Sequence, residues 1–160
     1  MSAVAFQDQI PHNHCFGCGP GNQSGLRIKS YWEDEAGQGD VSVCSYQPLP
    51  HQAAGPRQYL NGGIIATLID CHAICTAVAA AYRAEGRAIG SPPDLWYVTG
   101  SLEVRYLSPT PIGAPVHLRA TLQEQGPKKT LVACTLSSGG QACAEAKVVA
   151  IRVAPSWSAS

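Results

Sequence analysis

Charge is scarce in this chain and evenly split. Eleven Lys and Arg face eleven Asp and Glu in 160 residues, giving zero formal net charge with charged residues at 14%. A non-specific nucleic-acid binder needs a basic excess, so that class is excluded. An average soluble domain carries about 25% charged residues; the thinner ionic cover here fits a surface partly hidden in an oligomer. A secretory leader is also missing, because MSAVAFQDQIP has neither a basic start nor an apolar core. No membrane span is expected, since Thr67, Asp70 and His72 interrupt the most apolar run. Seven cysteines form no even, small-scaffold pattern, which fits reduced thiols and a cytoplasmic location. Dinucleotide and P-loop glycine signatures are absent.

What is there reads as a single domain over residues 1–160, with a loose arm at 1–12 and a frayed tail at 155–160. The Gly/Pro/Asn-rich segment CFGCGPGNQSG leads into LRIKSYWE and then DVSVCSY, both of which alternate like strands. Residues 47–58 hold three prolines and a glycine and predict a loop. Residues 62–83 predict one long helix, alanine-rich, free of proline and apolar on nearly every face. Such a helix must be buried on all sides. Four strands are expected after it, at about 95–107, 116–125, 130–137 and 142–153. Short turns between successive strands favour an antiparallel sheet. The fold class is therefore α+β, with that sheet wrapped around the helix and a second copy completing the enclosure.

The helix opens with NGGIIATLID. Asn61 fits an N-cap, and the helix start offers free N–H groups at the positive end of the macrodipole. Gly62 and Gly63 carry no Cβ, so a substrate carbonyl can approach this backbone closely. That is the layout of an oxyanion site, although glycines also end loops before helices. Asp70 lies seven residues after Gly63, roughly 10 Å along the axis and on nearly the same face. Apolar neighbours Ala66, Ile69, Ala73 and Ile74 would raise its pKa, as a general base or nucleophile requires. The alternative is an aspartate paired with an arginine at an interface. One helix cannot easily bring its own glycine N–H and its own aspartate to one carbonyl, whereas paired helices from two subunits can.

These residues carry a family resemblance. NGGIIATLID resembles the HGG-x-x-A-T-L-x-D/E segment of hotdog-fold acyl-CoA thioesterases of the PaaI and THEM type. CFGCGPGNQSGLRI is similar to their C-x-x-C-G-x-x-N-x-x-G-L leader, and TGSLEVRYLSPTPIG to the strand after the helix. The resemblance implies a hotdog fold, a homodimer or a dimer of dimers, and two active sites at the dimer interface. It implies that acyl-CoA is the substrate, with coenzyme A part of it and no separate cofactor. Asp70 matches the acid that attacks the thioester or activates water. Gly62, with Gly63 beside it, matches the glycine that polarises the carbonyl, and Thr99 a hydroxyl that helps to hold the water. Asn61 departs from the histidine common at its position.

Substrate-binding candidates are Asn61, His51, Tyr59 and Leu60, with Lys128 and Lys129 for the coenzyme A phosphates. His12, His14, Cys15 and Cys18 invite a zinc reading, but their spacing is cramped and no second C-x-x-C exists, so no metal is expected. Cys71 and Cys75 read as small core residues, with a nucleophilic role as the alternative. Trp96, Tyr97 and Tyr106 read as packing residues. Two rival functions stay open: a hydroxyacyl-thioester dehydratase or hydratase using His51, and a non-catalytic acyl-CoA-binding module.

Overall fold

The computed structural model describes residues 3–158. Six strands form one antiparallel sheet: β1 (Ser30–Trp32), β2 (Val41–Tyr46), β3 (Trp96–Tyr106), β4 (Val116–Gln125), β5 (Lys129–Ser138) and β6 (Gln141–Val153). Their order is β1-β2-β4-β5-β6-β3, and the helix α1 (Gly62–Ala84) enters between β2 and β3 in sequence. The expected antiparallel sheet around one long helix is what forms.

Period-two patterning aims the core. Val116, Leu118 and Ala120 of β4, Val132, Cys134 and Leu136 of β5, and Ala144, Ala146, Val148 and Ala150 of β6 are all buried. The helix that packs on β6 is likewise rich in small buried side chains, among them Ala73, Ala77, Ala80 and Ala81, so sheet and helix can approach closely at interior packing density. Gly86, at φ +65°, ends α1 in a conformation that L side chains rarely adopt.

The enclosure is incomplete. Thr67, Asp70, Ile74 and Val78 are only half-buried, whereas the positions between them are buried. Their spacing of three or four residues marks one stripe of α1 that the chain's own sheet leaves open. β3, which ends the strand order, is exposed along most of Thr99–Tyr106.

Four expectations need correction. Residues 5–10 are not a loose arm: Ala5, Phe6, Gln7 and Ile10 are buried, and Phe6 N–H donates to Ser30 O at 2.9 Å. The segment is too short for its apolar spacing to register as a pattern. LRIKSYWE is a strand only over Ser30–Trp32, because Leu26 and Ile28 donate instead to Phe16 O and Gly17 O of the leader loop. In the tail, Pro155–Ser158 forms a 3-10 turn; residues 159–160 lie outside the described residues. Finally, α1 is long and apolar enough by composition to cross a membrane, despite its polar interruptions, yet 67% of its most apolar window is buried inside the fold.

Candidate active site

Asp70 sits in the middle of the open stripe. Thr99 Oγ1 donates to its Oδ1 at 2.7 Å, so the residue singled out on β3 meets the one singled out on α1. Burial pushes the Asp70 carboxyl above the ordinary aspartate range. The Thr99 hydrogen bond offsets part of that rise, and Cys18 nearby adds to it. Its carboxylate enters no ion pair among the described residues. One turn further along the stripe, Ile74 and Val78 border a cavity of about 380 Å³ that Phe6, Ile10, Trp96 and Tyr97 also line. Its walls are chiefly apolar, and the loop residues Cys15 and Cys18 close one side.

The helix start is built from three side chains. Asn61 Oδ1 accepts from Gly63 N at 2.8 Å and from Ile64 N at 3.2 Å, as an N-cap should. Tyr106 donates its hydroxyl to Gly62 O at 2.7 Å, and Thr67 Oγ1 donates to Gly63 O at 2.9 Å. Gly62 N–H has no hydrogen-bond partner among the described residues. Of the two glycines expected at the oxyanion site, Gly63 gives its N–H to the cap, and Gly62 N–H is free among the described residues. Beside Gly62 lies a second cavity of about 450 Å³, bordered by Tyr59, Leu60, Ile65, Tyr106 and Thr110.

The other candidates scatter. His51 and Asn61 share an exposed groove with Phe16, Leu26 and Ile64 at the helix start, away from Asp70. Lys128 and Lys129 are exposed at the β4–β5 turn and line none of these three spaces. Sequence reasoning missed Tyr106, read as packing but 54% exposed and anchoring the Gly62 carbonyl. It also missed Ser108 and Thr110, whose buried hydroxyls have no partner at the Gly62 cavity. The tyrosine's place in TGSLEVRYLSPTPIG, the segment that resembles the family's strand after the helix, was the available signal.

Gly62 N–H and the Asp70 carboxylate sit eight residues apart on one helix, about 12 Å by the helical rise. Within one chain the free Gly62 amide and the Asp70 carboxylate therefore stand too far apart to meet at one carbonyl.

Comparison with known proteins identifies the family. Residues 58–145 match the thioesterase superfamily. Acyl-coenzyme A thioesterase THEM4 of Xenopus laevis is 30% identical over 96 residues, covering 60% of this chain. The match spans 37% of that longer relative. A thioesterase superfamily protein from Shewanella loihica PV-4 superimposes with a TM-score of 0.64 at 31% identity, covering 89% of this chain and 96% of its own. The E. coli PaaI protein from the phenylacetic acid degradation operon shares the fold, with a TM-score of 0.63, 15% identity and 81% of each chain covered. With the matched segment running from Gln58, ahead of the glycine pair, to Glu145 on β6, the chain belongs to the thioesterase superfamily.

Proposed function

We propose that the chain hydrolyses an acyl-CoA, or a related acyl thioester, to the free acid and thiol, and that it does so as a homodimer or a dimer of dimers. Asp70 is the base or nucleophile, Thr99 orients it, and Gly62 N–H from the facing subunit polarises the thioester carbonyl. Asn61 and Tyr106 hold the Gly62 peptide in place. The observation that carries this reading is the Asp70–Thr99 hydrogen bond on the one stripe of α1 left open by the sheet. A second copy laid against that stripe supplies the missing amide, and the exposed edge of β3 gives it somewhere to pair. The cavity beyond Ile74 suits an apolar acyl group. Lys128 and Lys129 stay available for the coenzyme A phosphates, and the site is read as cytoplasmic.

The dehydratase alternative needs an imidazole facing Asp70, and within the chain His51 lies in the groove with Asn61 instead. An enoyl thioester left unchanged by the protein separates the two.

A panel of short, long and aromatic acyl-CoAs with free-thiol detection tests the activity. Subunit mixing tests the architecture. Gly62→Pro deletes the one N–H in question at the first helical position, where proline is tolerated, after an Asn61 that is already extended at ψ 135°. Chains carrying Gly62→Pro and chains carrying Asp70→Asn should each be nearly inactive. Co-expressed, their mixed dimers hold one intact site each, so about a quarter of wild-type activity returns for random pairing of a two-fold dimer. Mixed dimers no more active than either parent would sink the cross-subunit arrangement.

A further inference from the structure

Three of the seven cysteines meet beside the helix turn that bears Asp70, and a fourth stands one turn further on. Cys15 and Cys18 come from the leader loop, and Cys71 and Cys75 from successive turns of α1. The sulfurs of Cys15, Cys18 and Cys71 all lie within 4.8 Å of one another, with Cys15 and Cys71 at 3.7 Å. Cys75, one helical turn on from Cys71, borders the same cavity as Cys15 and Cys18. Cys44, Cys134 and Cys143 sit on β2, β5 and β6 and contribute no sulfur to this group.

The backbone is shaped for the meeting. Gly19 N–H donates to Cys15 O at 2.8 Å, closing a tight turn around the pair. A Cβ added to Gly17 would lie 2.2 Å from Cys71 Sγ, and one on Gly19 would lie 2.4 Å from Cys15 N. The sequence C-F-G-C-G is therefore a knuckle whose glycines let it press onto the helix. Histidines take no part: His12 Nε2 is paired with Asp94 at 2.7 Å, and the His14 ring packs over Gly21. The set His12, His14, Cys15 and Cys18 is not what the fold assembles, and the second pair of sulfurs comes from C-x-x-x-C on the helix.

Two thiolates on one tetrahedral zinc, with Zn–S of about 2.3 Å, stand about 3.8 Å apart. The Cys15–Cys71 separation is already close to that. The geometry points to a structural zinc site in which Cys15, Cys18 and Cys71 hold one ion and Cys75 supplies the fourth thiolate. An all-sulfur, closed set of this kind is soft and selects zinc as a structural ion. Each thiol releases its proton to solvent on binding, so four thiolates around Zn²⁺ carry a net charge of −2. The ion staples the leader loop to the turn carrying Asp70 and fixes one wall of the apolar cavity.

The test uses the full, untagged chain purified without chelator from zinc-supplemented culture, with metals measured by plasma mass spectrometry. About one zinc per chain is expected, as for a structural four-ligand site. Cobalt exchanged into the site should show thiolate charge-transfer and intense tetrahedral ligand-field bands. Cys15→Ser and Cys71→Ser should each remove most of the metal, while Cys143→Ser keeps it. The proposal falls if wild-type protein holds less than about 0.1 zinc per chain or a different metal. It falls equally if mass spectrometry finds Cys15 in a disulfide in the native protein, or if Cys71→Ser retains full zinc. Should the serine variants precipitate, wild-type stoichiometry and the cobalt spectrum decide. Thioester hydrolysis by a zinc-free protein would remove the metal site and leave the Asp70 reading standing.

Discussion

Asp70 and His72 stand two residues apart on the same helix, both polar in an apolar sequence, and they meet opposite fates. His72 faces the sheet and is fully buried. Its ring bridges Ser30 Oγ at 2.8 Å and Ser42 at 3.2 Å to Oγ and 3.3 Å to the carbonyl. The hydrogen-bond directions close on one assignment. The Ser42 carbonyl only accepts, so His72 Nε2 carries the proton and Nδ1 accepts from Ser30. Thr76 Oγ1 donates to His72 O, so Ser42 Oγ donates to Thr76 Oγ1 at 2.5 Å. Gln7 completes the chain by donating to Ser30 Oγ at 2.8 Å. Every polar atom of the His72 ring is spent inside the fold. Asp70 has one internal partner, Thr99, and keeps its remaining acceptor capacity toward an open stripe. A buried polar group with all its bonds made specifies structure; one left incomplete on an open face is free to act.

That contrast breaks first on substitution. Asp70→Asn preserves shape and removes the base, so turnover should fall by about 10²–10⁴-fold, the range of general-base catalysis. The melting temperature should scarcely move. Near-normal thiol release from that variant would take Asp70 out of the mechanism.

Acid should act on the other member of the pair. Burial lowers the His72 pKa to about 4 from the ordinary 6.5. Below pH 6.5 the unfolded chain binds a proton that the folded chain refuses, so stability is complete above that pH and drains as the pH falls toward 4. The loss approaches about 3 kcal/mol by then, at 1.36 kcal/mol per pKa unit. Denaturant midpoints in a His72→Gln variant should lose that pH dependence between 6.5 and 4; an unchanged slope would assign it elsewhere.

Much of this was legible in the sequence and some was not, for physical reasons. The long helix and the strands from Trp96 onward carry patterns over ten or more residues, enough for periodicity to speak. Asn61, Gly62 and Asp70 announced themselves by being polar or Cβ-less in an apolar run. That Gly63 N–H goes to the cap follows from Asn61 Oδ1 accepting from the second and third helical amides. The sulfur cluster was hidden because its halves lie 56 residues apart, and a search for a second C-x-x-C passes over C-x-x-x-C on a helix. The N-terminal segment buries Phe6 and Ile10 through contacts with distant elements, which no local pattern encodes.

Smaller changes sharpen the comparison by targeting partners instead of principals. Thr99→Val removes the single hydrogen bond to the Asp70 carboxylate. A bond to a charged group is worth about 1.5–3 kcal/mol, and exposure of Thr99 places the effect at the low end, near tenfold in kcat with little change in stability. Ser30→Ala does the converse. It deletes the donor to His72 Nδ1 and leaves that nitrogen buried without a partner, which costs about 1–3 kcal/mol of stability. Gln7 loses its acceptor at the same time, but its Oε1 still accepts from Ser30 N at 2.8 Å, which keeps the loss toward the lower figure. Turnover per folded chain should be unchanged, because the His72 network faces the sheet and the reacting stripe faces away. If Ser30→Ala slowed hydrolysis tenfold while Thr99→Val only softened the fold, the division of labour between the two faces of the helix would be the reverse of the one argued here.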